Sequence, residues 1–98
     1  MKGTKNMENM EFKPELILER TSDNLFVDID SGKVVKEIKL VSVISEKTLY
    51  YNTSNDPLFN DLDDIRRIVL NYAFKSAKLE DNNGNIGICS DMIWYLQF

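Results

Sequence analysis

Three aspartates crowd one short stretch, Asp61, Asp63 and Asp64, and carboxylates so close together are candidates for holding a hard cation or passing a proton. Consecutive positions on a helix point about 100° apart, so the three do not converge on one atom. Catalysis also needs a carboxyl tuned by burial and coupling, which an exposed first turn lacks. Charge that favours a helix start, or an acidic patch facing a basic partner, accounts for them more simply. Asp28-Ile29-Asp30-Ser31-Gly32 has the oxygen donors that open a calcium loop, but its Gly is fifth rather than sixth and Lys39 stands where the bidentate Glu belongs. In Asp81 to Asn85 the Gly is fourth and no acidic residue follows at a suitable distance. Both segments read as turns.

The chain has no histidine, which removes the usual general base near neutral pH and every His-dependent triad or zinc arrangement. Cys89, the one cysteine, needs a Lys, an Arg or a helix N-terminus to become a nucleophile, and its neighbours Ile88 and Ser90 offer none. It reads as a small core or half-core residue. Four glycines make no phosphate-binding loop. No catalytic residue, metal or cofactor is expected.

Twelve Lys plus Arg against sixteen Asp plus Glu give a net charge of −4, which works against a nonspecific grip on nucleic acid or anionic membranes. One feature points the other way. Lys33, Lys36 and Lys39, with Tyr50 and Tyr51 as stacking platforms on a sheet, form a weak nucleic-acid signature that Glu37 interrupts. Arg66, Arg67, Lys75 and Lys78 form a second basic set, interleaved with Asp64 and Asn71. A lone cysteine and the lack of a leader-like start suggest a reduced, cytoplasmic setting. No apolar run approaches the roughly 18 residues of a membrane span, so none is expected.

Positioning these residues falls to a single domain of 98 residues, 43% of them apolar, with five Phe, four Tyr and one Trp to fill a core. Residues 1–13 carry only Phe12 as a strong anchor and read as a flexible tail, leaving 14–98 as the domain. Leu16-Ile17-Leu18 within Glu15 to Arg20 reads as a strand closed by the turn residues Thr21 to Asn24. From Leu25 to Ile29 a half-buried strand puts Leu25, Val27 and Ile29 on one face. After Asp30-Ser31-Gly32 the strand through Val34, Ile38 and Leu40 slips phase near Leu40, which suggests a bulge or burial on both faces. Ser45-Glu46-Lys47 turns the chain into Thr48 to Tyr51, again rich in strand formers. Ile86 to Cys89 and Met92 to Phe98 close the chain as strands, the last with apolar groups on both faces and so expected to be covered.

The central segment reads differently. Asp56 as N-cap and Pro57 at the first helical position start a helix to about Leu79, with Asp early and Lys late. Leu58, Leu62, Ile65, Val69, Tyr72, Ala73 and Ser76 recur at three- and four-residue steps as a core-facing stripe. The expected fold is α+β: an antiparallel meander of about four to six strands with this one principal helix packed on one face. Phe59, Leu70, Phe74 and Ala77 fall off the main stripe as a second apolar line, to be covered either by a second layer of the same chain or by another molecule. Flanked by Asp63, Arg66 and Arg67, Phe59, Leu70 and Phe74 have an interface's mix of anchors and rim charge. These six are the expected partner-binding residues. By elimination and by this line, the chain reads as a small non-enzymatic protein that occludes a surface on another protein, of the inhibitor or immunity type made by a bacterium or phage. A homodimer is compatible with that reading. The alternative is a nucleic-acid-associated accessory protein using the Lys/Tyr sheet face.

Overall fold

The computed structural model describes residues 14–53 and 61–98. They form eight strands: β1 (Glu15–Arg20), β2 (Phe26–Asp28), β3 (Glu37–Ser42), β4 (Thr48–Asn52), β5 (Ile65–Asn71), β6 (Ser76–Asp81), β7 (Ile86–Cys89) and β8 (Met92–Gln97). All pairings are antiparallel, in a five-stranded sheet ordered β2-β1-β5-β6-β7 and a three-stranded sheet ordered β4-β3-β8. The expected tail over 1–13, the helix start at Asp56-Pro57 and Phe59 lie outside the described residues.

The expected α+β fold with a packed helix is overturned: no helix occurs among the described residues, and the chain is all-β with two sheets rather than one meander. Where a helix over Pro57 to Leu79 was expected, the chain makes a turn at 61–64, β5, a turn at 72–75 and β6. The helical stripe has a rival in the same residues. Ile68 and Leu70 share parity across β5 and are fully buried, and Ile65, Ile68 and Val69 are β-branched. Pairing these residues with β1 on one side and β6 on the other buries more than one helix face against a sheet can.

One core joins the sheets. Leu16, Leu18, Phe26, Ile68, Leu70 and Ala77 come from the large sheet, and Ile38, Leu40, Tyr51 and Met92 from the small one. Phe26 and Tyr51 meet edge to face at 4.9 Å, and the Phe26 N–H donates to the Tyr51 hydroxyl at 3.4 Å. β3 starts beside β2, where the Val35 N–H donates to Phe26 O at 2.8 Å, and ends where Ser42 shares a groove with Cys89 of β7. The small sheet thus crosses the strands of the large one, the steep packing that lets short strands cover a wide sheet.

Two expected faces are reversed. In β2 the buried side chains are Phe26 and Asp28, while Val27 is half-buried and Ile29 is exposed. Asp28 tolerates burial because its carboxylate accepts from Asp30 N (2.9 Å) and Ser31 Oγ (3.0 Å). β8 is not interior: it lies at a sheet edge, and its outer face leaves Ile93 and Tyr95 exposed. The phase slip near Leu40 needs no bulge, since β3 pairs in continuous register with β8 and Val43 lies beyond the strand.

Neighbouring segments meet three of the four sheet edges. The 33–35 segment closes β2 through Asp28 N to Lys33 O (3.0 Å) and the Val27–Val34 bridge. The Asp61 carboxylate accepts the Tyr50 N–H of β4 at 3.2 Å, and the 72–75 turn meets β8 through Met92 N to Lys75 O at 2.8 Å. β7 bonds only to β6 among the described residues.

Candidate interaction surface

Three turns meet at one end of the molecule. Asn71 ends β5 with its Oδ1 accepting the Phe74 N–H at 2.9 Å, a side-chain substitute for a backbone turn. Lys75 then takes φ +50° and reverses the chain into β6. The Lys75 carbonyl accepts from Met92 N, and the next carbonyl back, that of Asp91, accepts from Val43 N at 2.9 Å. Ser42 O and Ser42 Oγ accept from Glu46 N (2.8 Å) and Ser45 N (3.2 Å), which closes the third turn.

This end presents apolar side chains to solvent. Phe74 is 77% exposed and Ile44 75%, with Val43, Tyr72 and Ile93 also exposed. Tyr72 is steadied by an edge contact with Trp94 at 5.4 Å. Beside it an open groove of about 300 Å³ is lined by Tyr72, Lys75, Met92, Ile93 and Trp94. A rim of Lys75, Glu46, Lys47 and Asp91 carries both signs of charge. Rigid strands hold these loops, the usual way a β-fold presents a binding surface.

The six expected partner-binding residues are dispersed. Phe74 belongs to this end. Leu70 is fully buried in the core, one strand turn away from Phe74 rather than on a common surface line. Asp63 lies in the 61–64 turn, beyond the far end of β5, roughly 20 Å from the 72–75 turn at a rise of about 3.3 Å per residue. Phe59 lies outside the described residues. Arg66 and Arg67 sit on the outer face of the large sheet, where a register shift between Ile65 and Arg67 brings both against Glu80 at 3.7 Å. Arg67 also grips Glu19 of β1, with Nε at 3.0 Å and Nη2 at 2.6 Å from one oxygen. These arginines clamp strands together.

On the outer face of the small sheet Lys39 stands between Tyr50 and Tyr95, its Nζ 5.8 Å and 5.5 Å from the two ring centroids. Tyr51, expected beside Tyr50 as a platform, is in the core, while Lys33 and Lys36 precede β3. Tyr95 was missed because it reads as core in a strand apolar on both faces. Val43 and Ile44 carried a signal, two apolar residues directly before the Ser45-Glu46-Lys47 turn.

The other candidates have structural work. Asp61 caps β4, and Asp63 and Asp64 favour the charged state of Arg20, whose burial otherwise lowers its pKa. Among the described residues no group of three or more His, Cys, Asp or Glu is placed to hold a metal ion, and no helix is long and apolar enough to cross a membrane. No family model, curated protein or solved structure matches the chain.

Proposed function

We propose that the chain is a non-catalytic protein-binding module that acts by covering a surface on a partner, with the end formed by the three turns as its binding face. The observation that carries this reading is Phe74: an aromatic ring 77% exposed at a turn tip, at the end of the molecule that also exposes Ile44, Val43 and Tyr72. Apolar side chains gathered at one end within a polar rim are what binding sites leave in water, and aromatic anchors carry most of an interface's energy. The matching surface is a folded protein, apolar at its centre and mixed in charge around it. An inhibitor or immunity-like role in a reducing cytoplasm fits a small domain of this kind with one unpaired cysteine.

Phe74→Ala tests the reading. The wild-type chain and the variant are used to retain proteins from the cell that makes the chain. A protein held by the first and lost by the second, with unchanged thermal unfolding, supports the assignment; equal retention removes it. A second reading has its own observation, the Tyr50–Lys39–Tyr95 row. Retention of a single-stranded oligonucleotide that falls steeply with salt and is lost in Lys39→Ala would favour that face instead.

A further inference from the structure

We infer that β7 is a self-recognition edge: two copies of this chain pair their β7 strands antiparallel about a two-fold axis at Gly87, joining two five-stranded sheets into one of ten. Ile86 and Ile88 point outward from the large sheet, opposite Glu80 and Lys78 of β6, and are 58% and 68% exposed. The strand Ile-Gly-Ile-Cys carries no charge, no proline and no bulge, the devices that keep an edge from pairing. Of the other three edges, that of β2 is closed by the 33–35 segment, and those of β4 and β8 donate hydrogen bonds to Asp61 and to the Lys75 carbonyl.

Register chooses the occupant. Residues directly opposite across an antiparallel pair share a face, so a continuous sheet requires a pairing that keeps outward residues against outward ones. An axis at Gly87 sets Ile86 against Ile88 of the second copy, and does so twice by symmetry. Each cross-strand row then reads Lys78, Ile88, Ile86 of the second copy, Glu80 of the second copy, with Glu80 held by its own Arg66 and Arg67. An axis at Ile88 instead sets the two Ile88 side chains together in a row bounded by two Lys78 residues, and leaves Ile86 opposite Ser90. A second copy in this register therefore matches all of the exposed isoleucines of β7 and sets no two Lys78 residues in one row.

Sedimentation of the full chain from micromolar to millimolar concentration tests this, with two variants at exposed positions. The wild-type mass is expected to rise towards twice 11.4 kDa. Ile88→Glu should hold it at 11.4 kDa, because each Glu then buries against an isoleucine. The double variant Ile86→Lys with Ile88→Glu should restore dimers, since in this register every new Lys faces a new Glu of the other copy. Unfolding midpoints confirm that the variants are folded. A wild-type chain monomeric throughout, an Ile88→Glu chain that still dimerises, or a double variant that stays monomeric would each overturn the proposal. Phe74→Ala should leave the mass unchanged, which separates this edge from the binding face at the three turns.

Discussion

Leu70 and Phe74 lie four residues apart and have opposite fates, and that contrast sets two predictions. Leu70 is fully buried between Leu16 and Ala77, its neighbours in register, so Leu70→Ala should lower unfolding free energy by about 2–5 kcal/mol in denaturant titration. Phe74→Ala should stay within about 0.5 kcal/mol of wild type by the same measurement. Arg20 is the charged counterpart. Its guanidinium donates to Ile65 O (2.9 Å), Leu62 O and Asn24 O (3.3 Å), and lies 4.3 Å over the Phe26 ring. Desolvation lowers its pKa and Tyr51, Asp63 and Asp64 oppose the shift. Arg20→Lys should cost about 2 kcal/mol despite retaining the charge, because an ammonium cannot reproduce the fork that reaches three carbonyls.

Lys75 decides between the two readings of the central segment at the scale of elements. Inside a helix, Lys75→Gly would lower stability by roughly 1 kcal/mol. In the turn between β5 and β6, where Lys75 has φ +50°, the same change should raise stability by about 1 kcal/mol, read as a higher urea midpoint. The Asp81 to Asn85 turn has a pH signature. Hydrogen bonds from the Asn85 side chain and backbone hold the Asp81 carboxyl below the ordinary 3.8, with Asn83 N and Gly84 N adding to them. A depressed folded pKa contributes stability above the unfolded value and loses it as pH falls through the folded one. The Asn83 and Asn85 amide resonances should therefore shift together below about pH 4, and Asp81→Asn should abolish that titration.

Most strands were legible. Glu15–Arg20 was read within its observed bounds, and the turns at Thr21 to Asn24 and Asp30 to Gly32 stand where turn residues cluster, while the turn expected at Ser45 to Lys47 begins two residues earlier, at Val43. The turn at 72–75 was not, since Tyr72-Ala73-Phe74-Lys75 has neither Gly nor Pro and its one mark is Asn71. With that turn hidden, two strands of a hairpin ran on as one helical stripe. Of the site, Phe74 was legible as an apolar residue without a partner, and Leu70 was not separable from it without knowing that strand parity, not helical spacing, governs both.

Crossed sheets give the whole molecule an uneven distribution of stability. β1, β3 and β5 are paired on both sides, and β1 and β3 each place two of their six residues in the core, whereas β7 is exposed over three of its four positions. Local opening follows buried contacts and paired neighbours, so amide exchange should be slowest in β1, β3 and β5 and fastest among strands in β7. The β1–β5 pairing joins Glu19 to Arg67 across 48 positions, which makes closing the large sheet a slow, non-local step. β7 stands last in that sheet's order, bound among the described residues by β6 alone. If its free edge receives a second copy, the β7 amides gain both partner strand and burial, and their protection becomes a function of concentration while that of β1 does not. Hydrogen exchange at two chain concentrations should show Ile86 to Cys89 slowing at the higher one in the wild type and remaining fast in Ile88→Glu; equal β7 exchange at both concentrations would place the weak edge in water rather than in an assembly.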